Sequence, residues 1–214
     1  MRIAARARAL MEAVPYVVGY GWGPALMSAL RKRWVVLRHP RADIRFGPGA
    51  YVGPGFSLHI PANGTFIAGP NVEFRRGFRA EVAGDGRITI GAGSVCTYYV
   101  LMQCTTSIDI GERCMFGQST IVIDGNHRFR DLERPMLEQG FDFQPIRIED
   151  DATITTKCTI MAGIGRRAFV GANAVVTRPV PAYTVVAGVP ARPIDYFGPP
   201  GLEPPELAES PSSG

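Results

Sequence analysis

The sequence predicts an all-β solenoid built from short strands, and a six-residue period is the main observation behind this prediction. Four hexads in the C-terminal half each open with an aliphatic residue and place Ala or Cys four positions later; they begin at Ile148, Ile154, Ile164 and Val170. This period fits neither an amphipathic helix nor a hairpin strand. It fits a stack in which each hexad is one strand followed by a corner, with aliphatic side chains packed inward on the turn above.

The same period recurs upstream, where glycine follows the leading apolar residue of many units: Phe46-Gly47, Val52-Gly53, Ile90-Gly91, Ile110-Gly111 and Phe116-Gly117. Glycine suits a corner because it adopts backbone angles that are closed to other residues. We therefore expect one β domain over residues 41–197. One irregularity is expected in it: Ile160 is followed by Ile164, so two residues are missing from a corner, and that coil must be tightened or strained.

This repeat resembles that of the hexapeptide-repeat acyltransferases, and the likeness covers roughly residues 44–196. The resemblance implies a left-handed parallel β-helix; spacing alone does not give the hand, and the general rule for parallel crossovers favours the right hand. Within the family the likeness is to the maltose/galactoside, nodulation and capsule-type O-acetyltransferases. It also implies a homotrimer of closed cyclic symmetry with each site between two subunits.

The two ends of the chain do not follow the period. Residues 1–40 have helical spacing and several basic side chains, and we expect a helical cap on the first coil, since solenoids need atypical ends. A basic amphipathic surface held against anionic lipid is a second interpretation, compatible with the first. Residues 198–214 are rich in Pro, Ser and Gly and are predicted to form a disordered tail.

Composition narrows the class of protein further. A net charge of +4 over 214 residues, with no recognised binding motif, does not favour nucleic acid as a partner. The four cysteines form no CxxC pair and are expected to be buried thiols in a reducing compartment. Neither a signal peptide nor a spanning helix is predicted. The expected location is the cytoplasm, with contact at the inner membrane face as the alternative.

One histidine is the candidate catalytic base. The polar segment 124–145 interrupts the hexads, and such insertions are commonly functional loops. Its phrase Gly125-Asn126-His127 resembles the loop that presents a histidine to an acyl-thioester in the family, which implies that His127 is the general base. A neutral imidazole can take the proton of an acceptor hydroxyl and return it to the departing thiolate. Asp124 and Glu138 are the two candidates for orienting its ring.

A second part of the resemblance concerns coenzyme A. The run from Gly171 to Pro181 and the phrase Ala187-Gly188-Val189-Pro190-Ala191-Arg192 resemble the family's last coil and terminating loop. By position, Thr156 and Ala172 would contact the pantetheine arm. The adenine end and its phosphates would be met by Thr177, Arg178 and Arg192, because a guanidinium is a fixed fork of donors suited to phosphate. Asn126 and Thr153 are the expected acceptor contacts; Thr153 stands where much of the family has tryptophan.

The function predicted from these residues is acetyl transfer from acetyl-CoA, or another acyl-CoA, to a hydroxyl of a sugar, polysaccharide or glycolipid precursor. Two alternatives stay open: a xenobiotic (antibiotic) O-acetyltransferase, and a non-catalytic β-helix scaffold with a decayed site. A metal enzyme on the same solenoid would need three histidines converging on zinc, and only His59 and His127 lie within the repeats. No metal is therefore predicted.

Overall fold

A computed structural model describes residues 22–208 of the chain. Over these residues the chain winds through short strands that stack into three flat faces. The strands are β1 Asp43–Phe46, β2 Tyr51–Val52, β3 Ser57–His59, β4 Thr65–Ala68, β5 Glu73–Phe74, β6 Arg79–Val82, β7 Arg87–Ile90, β8 Val95–Cys96, β9 Leu101–Cys104, β10 Ser107–Ile110, β11 Met115–Phe116, β12 Ile121–Ile123, β13 Gly125–His127, β14 Phe141–Phe143, β15 Ile146–Ile148, β16 Thr153–Ile154, β17 Thr159–Ile160, β18 Phe169–Val170, β19 Val175–Val176, β20 Thr184–Ala187 and β21 Arg192–Tyr196.

The three faces are parallel sheets that the chain visits in turn. Sheet A has the order β1-β4-β7-β10-β15, sheet B the order β2-β5-β8-β11-β16-β18-β20, and sheet C the order β3-β6-β9-β12-β17-β19. The last strand, β21, joins sheet B antiparallel to β20. This arrangement is a parallel β-helix, and the predicted left-handed fold class is confirmed.

The interior is a continuous apolar column in which the leading hexad residues of successive coils stack, and Ile90, Ile110 and Ile148 are buried members of it. A second buried row, Phe66, Ile88, Ile108 and Ile146, lies two positions earlier in the strands of sheet A, and the Ala and Cys residues of the small position are buried as well. Strand alternation sends every second side chain inward, and the corner leaves room only for a small one. The period in the sequence is therefore the footprint of this column.

The corner predicted to be shortened is present, and it is shared by the last two coils. Ile148 is paired with Ile164, and Ile164 in turn with Val180, so each of these coils has 16 residues. The first two coils have 22 residues each, as the pairs Asp43–Thr65 and Thr65–Arg87 show, and the third has 20, from Arg87 to Ser107. Single bridges replace strands at these positions in sheet A. The bonds from Glu149 N to Ile164 O (2.8 Å) and from Gly165 N to Val180 O (2.8 Å) keep the ladder intact.

Glycine is required where neighbouring corners touch. A Cβ on Gly165 would lie 2.4 Å from Ala182 N, and one on Gly91 would lie 2.4 Å from the carbonyl carbon of Gly111. Both distances are far below van der Waals contact with backbone that cannot move away. Gly165 and Gly91 therefore allow successive coils to stack closely at the corner between sheets A and B.

The first coil is covered by helix α1, Trp22–Arg38, which lies within the segment expected to be a helical cap. Ser28 Oγ accepts a hydrogen bond from Val52 N (2.8 Å), Arg31 donates to Val52 O (3.1 Å), and Lys32 donates to Ala50 O (2.9 Å). Burial lowers the pKa of the Lys32 ammonium. The part of the predicted cap before residue 22 falls outside the described residues. Among the helices that the structure describes, none has the length and apolarity that a bilayer crossing requires.

The structure differs from the sequence prediction at the C-terminal end. Residues 198–208 were expected to be part of a disordered tail, but a one-turn helix, α2 (Pro205–Ala208), contacts β21 and Pro204 is buried. Tyr196 Oη donates to Pro199 O (3.0 Å) and ties the turn before α2 to the strand. The proline-rich composition predicted disorder here, but proline can also pack as an apolar side chain, as Pro204 does.

Candidate active site

The segment between β12 and β15 forms a two-stranded hairpin that carries His127. Strand β13 pairs antiparallel with β14, and His127 lies opposite Phe141 while Gly125 lies opposite Phe143. The imidazole packs on the Phe141 ring with centroids 4.2 Å apart, and Phe141 stacks on Phe143 at 5.5 Å. A Cβ on Gly125 would lie 2.6 Å from the Phe143 ring, so glycine allows this packing. The result is an exposed imidazole braced by an aromatic row.

The predicted acceptor contact Asn126 lies on the other face of this hairpin. Alternate residues of a strand point to opposite faces, so Asn126 and its partner Asp142 are directed away from His127. Arg128 Nε donates to Asp142 Oδ1 (2.7 Å) and occupies that second face. The structure therefore does not bring Asn126 and His127 together within one hairpin face. The row of Phe141 and Phe143 was missed in the sequence, although the alternation Phe-Asp-Phe opposite Gly-Asn-His could have indicated it.

Asp124, one of the two candidate orienting carboxylates, is hydrogen-bonded to the preceding coil and not to His127. Its side chain is buried and accepts hydrogen bonds from Thr105 N (3.0 Å to Oδ1, 2.9 Å to Oδ2), Thr106 N (2.6 Å) and Thr106 Oγ1 (2.8 Å). Its own carbonyl accepts from Gln144 N (2.9 Å), across the base of the hairpin. Asp124 thus fixes the root of the hairpin to the corner that follows β9, rather than contacting the imidazole.

Glu138, the other candidate, lies at the outer end of the insertion. It is exposed in a 3-10 helix, Met136–Glu138, and its backbone carbonyl accepts from Arg134 Nη2 (2.9 Å). Within residues 22–208, no hydrogen bond joins the imidazole of His127 to a carboxylate of the same chain. The orienting group for the second ring nitrogen is therefore not supplied by Asp124 or Glu138 within this chain.

A groove runs along the base of the hairpin, where the insertion leans over the last coils. Ile123, Phe143, Met161 and Thr177 line it, and Gln144 Nε2 donates to Met161 O (2.8 Å) to hold the hairpin in place. Thr177, predicted to contact coenzyme A, is therefore beside the root of the hairpin that carries His127. Arg178 follows it in the same corner and is exposed.

The predicted coenzyme A contacts fall on two different edges of the solenoid. The corners joining sheet C to sheet A, here called the C/A edge, carry the hairpin, Thr177 and Arg178. The corners joining sheet B to sheet C, the B/C edge, carry Thr156 and Ala172, stacked through the bond from Asn173 N to Thr156 O (3.0 Å). Arg192 also lies at the B/C edge, opposite Ala187. Sheet C separates the two groups, so one chain does not bring Arg178 and Arg192 to one phosphate.

Thr153, the second predicted acceptor contact, lies on the outer side of sheet B. It is half-buried between Met115 and Phe169 in the neighbouring strands. The surface around Thr153 is therefore apolar, although Thr153 itself stands where much of the family has tryptophan. His127, on the C/A edge, and Thr153, on sheet B, belong to different faces of one chain and cannot meet within it.

Two acidic residues before Thr153 are structural. Asp151 accepts from Arg113 Nε (2.7 Å) and Nη2 (3.0 Å), and this guanidinium lowers the pKa of Asp151. Asp150 accepts from Glu112 N (3.0 Å) and Arg166 Nη2 (3.0 Å), and the backbone bond is the main cause of its lowered pKa. Both carboxylates hold the corner between sheets A and B, and neither is placed to act as an acid at neutral pH.

The cysteines provide no nucleophile at the described site. All four thiols are free and buried, which confirms the predicted burial. Burial is the main cause that raises the pKa of Cys104 to about 12, and the nearby charge of Asp124 adds to it. Burial likewise raises the pKa of Cys114 to about 11. Since the thiolate is the reactive form, these groups are inert at neutral pH.

Comparison with known sequences points to acetyltransferases. The chain is 30% identical over 108 residues to a Mycobacterium tuberculosis protein named as an acetyltransferase, covering 50% of this chain and 34% of the relative. It is 28% identical over 151 residues to WbbJ of Escherichia coli, named for lipopolysaccharide biosynthesis O-acetyl transfer, covering 66% of this chain and 77% of WbbJ. The chain thus spans about a third of the first relative. The sequence matches no family model.

Solved structures give the same result. A hexapeptide-repeat acetyltransferase of Vibrio cholerae complexed with acetyl coenzyme A superposes with a TM-score of 0.57 at 26% identity, covering 79% of this chain and 78% of that one. AntD, an N-acyltransferase of Bacillus cereus solved with dTDP-4-amino-4,6-dideoxyglucose and coenzyme A, gives 0.64 at 16% identity over 81% and 90% of the two chains, a likeness of fold alone. The chain therefore has the fold of the hexapeptide-repeat acetyltransferases, and its sequence relatives are named as acetyltransferases.

Proposed function

We propose that the protein is a coenzyme A-dependent O-acetyltransferase that acetylates a hydroxyl group of a sugar, polysaccharide or glycolipid precursor. The observation that carries this proposal is the exposed imidazole of His127, held on an aromatic hairpin at the edge of a β-helix of the acetyltransferase type. The Vibrio cholerae structure, complexed with acetyl coenzyme A, supports the donor. WbbJ, which is named for O-acetyl transfer in lipopolysaccharide biosynthesis, supports a sugar hydroxyl as the acceptor. It favours a polysaccharide acceptor over a xenobiotic acceptor.

In the proposed reaction His127 acts first as a base and then as an acid. A neutral ring nitrogen of His127 takes the proton of the acceptor hydroxyl while the hydroxyl oxygen forms a bond to the carbonyl carbon of the thioester. The tetrahedral intermediate then breaks its carbon–sulfur bond, and the same nitrogen returns the proton to the departing thiolate. The thioester is already activated, so no covalent enzyme intermediate is required, in agreement with the buried thiols.

The division of the candidate residues between two edges supports a site made by two subunits. The C/A edge offers His127, Thr177 and Arg178, and the B/C edge offers Thr156, Ala172 and Arg192. A site that needs both groups is completed when the C/A edge of one subunit meets the B/C edge of the next. Closed cyclic symmetry then gives three equivalent sites in a homotrimer.

The surfaces of the three sheets support the same assembly. The outer side of sheet A carries ion pairs, such as Arg87 with Asp109 at 3.1 Å, as expected for a surface that faces solvent. Sheets B and C instead display rows of apolar side chains, with Met115 and Phe169 exposed on sheet B and Ile121 on sheet C. Exposed apolar rows of this kind mark interaction surfaces. In the trimer we therefore place the coils of sheets B and C that carry Met115, Phe169 and Ile121 toward the partner subunits, and sheet A toward solvent.

The proposal also covers where each predicted contact acts. Thr156 and Ala172 present exposed or half-exposed corner groups along which the pantetheine arm extends, and Arg192 or Arg178 meets its phosphates from one side or the other. Thr153 forms part of the acceptor wall between Met115 and Phe169 of a partner subunit. Asn126, on the second hairpin face, is proposed to contact the acceptor only across the subunit boundary.

The test is release of coenzyme A from acetyl-CoA in the presence of a panel of sugars and glycolipid head groups. His127→Ala should reduce turnover by about 10²–10⁴-fold, the usual contribution of a general base. His59→Ala, an exposed histidine on sheet C outside the hairpin, is the matched control and should retain activity. A His127→Ala variant that keeps more than about a tenth of turnover would remove the base role. If coenzyme A does not raise the melting temperature of the parent protein, the alternative of a non-catalytic scaffold with a decayed site is favoured.

A further inference from the structure

The outward side of helix α1 is the most unusual surface of the described chain. Four large apolar side chains with helical spacing are exposed there: Leu26 is 62%, Leu30 48%, Trp34 62% and Leu37 75% accessible. We call these four residues the α1 outer face. A surface helix normally turns its apolar stripe toward the core and its polar side toward water. In α1 the arrangement is reversed.

The inward side of α1 explains the reversal. Its contacts with the first coil are hydrogen bonds from Arg31 and Lys32 to backbone carbonyls and from Val52 N to Ser28 Oγ, with Val35 as the buried apolar residue. The helix is therefore anchored through polar groups. The α1 outer face is not needed for this anchoring. Its exposed apolar side chains would be buried only by contact with another surface.

Charge identifies that surface. Residues 1–42 contain eight Lys or Arg residues and one acidic residue, Glu12, whereas the remaining 172 residues contain 15 Lys or Arg and 18 Asp or Glu. The N-terminal segment thus carries a net charge of +7 and the rest of the chain −3. Arg33 and Arg38 are exposed on α1 itself, and Arg38 lies over the Trp34 ring at 5.8 Å.

We propose that the α1 outer face docks the protein on an anionic lipid bilayer, with Trp34 and its leucine neighbours inserted at the headgroup level. A second copy of the chain, or residues 1–21 folded over the helix, would bring further positive charge to a surface that is already basic. An anionic bilayer brings the opposite charge together with an apolar layer. Amphipathic helices with basic flanks and an interfacial tryptophan bind membranes in this manner.

A groove beside the helix is suited to the headgroups. It opens at Trp34 and is lined by Arg38, Arg41 and Arg79, with Glu81 as an acidic member whose carboxylate is bonded to Gln103 Nε2 (2.9 Å). Three guanidinium groups next to an inserted tryptophan match the phosphates of a bilayer surface. The docking surface therefore combines an apolar part and a basic part along one edge of the molecule.

The proposed trimer strengthens the attachment. Rotation about a threefold axis leaves every element at the same height, so three α1 outer faces lie at one level. Linked weak contacts bind far more tightly than one contact alone. The acceptor would then be a sugar carried on a membrane lipid, a consequence that rests on the proposed function, whereas the docking itself does not.

The docking is tested with the full-length protein and vesicles of phosphatidylcholine, with and without phosphatidylglycerol. The parent protein should sediment with the anionic vesicles only and should be released as salt rises, since exposed charges are screened. The double variant Leu30→Glu, Trp34→Glu should lose about tenfold or more of the bound fraction. Leu202→Glu, at a leucine of similar exposure (67%), is the matched control and should bind as the parent does.

Three outcomes would overturn the docking: no sedimentation at low salt, unchanged binding of the double variant, or a smaller particle mass for the double variant, which would make the face an interface between copies. Thermal stabilisation by coenzyme A is measured on the same samples. The double variant should keep it, because the substitutions lie on an exposed surface. Absence of that stabilisation in the parent protein would contradict the proposed function and leave the docking result standing.

Discussion

Asp124→Ala should be among the most destabilising substitutions in the chain, because one buried carboxylate holds the root of the hairpin. Three donors converge on it: Thr105 N, Thr106 N and Thr106 Oγ1, at 2.6–3.0 Å. Hydrogen bonds to a charged acceptor contribute about 1.5–3 kcal/mol each, and water reaches the half-buried threonines to recover part of this. We therefore expect a loss of about 3–5 kcal/mol, which lowers the melting temperature by roughly 6–20 °C in a chain of this size.

Thermal melts at one protein concentration measure this effect, and Asp109→Ala is the matched control. Asp109 also accepts two side-chain bonds, from Thr89 Oγ1 (2.6 Å) and Arg87 Nη2 (3.1 Å), but it lies on the outer side of sheet A. Its loss should cost less than about 1 kcal/mol. Equal melting temperatures for the two variants would refute the anchoring role. Asp124→Asn keeps one acceptor oxygen, so it should lower turnover through the displaced hairpin while leaving the KM for acetyl-CoA nearly unchanged.

The remaining predictions concern the proposed site, the thiols and the assembly. Arg178→Ala and Arg192→Ala should each raise the KM for acetyl-CoA more than they lower kcat, since phosphate contacts are alike in ground and transition states; unchanged affinity for coenzyme A in both variants would contradict their assignment. The four buried thiols should not react with a thiol reagent at pH 8 until the protein unfolds, and rapid labelling of the native protein would contradict their raised pKa values. Light scattering should give three times the chain mass of 23.2 kDa, and Ile121→Asp, in the apolar row of sheet C, should lower it; a parent monomer at micromolar concentration would exclude the shared site.

The sequence by itself determined the fold class, because the hexad period is a local rule repeated along the chain. An apolar residue every six positions with a small residue four later allows one kind of stack, and the buried column of Ile and Val residues confirms it. The same period located the insertion that carries His127, since a segment without hexads has no place in the column. The shortened corner at Ile160–Ile164 was also readable, but its sharing with the next coil was not.

Tertiary structure alone decided which side chains meet. Asp124 and His127 are three residues apart, yet the chain places the carboxylate under Thr105 and Thr106 of the preceding coil, a partner fixed by how the coils stack and not by local sequence. Arg178 and Arg192 likewise fall on different edges, because the chain between them crosses sheet A and then sheet B. The exposed apolar side of α1 is a further case. Its helical period predicts a stripe, but the direction of the stripe depends on the hydrogen bonds that Arg31 and Lys32 make to the first coil. Periodicity specifies what every coil shares, whereas a site depends on contacts between residues that are distant in the sequence.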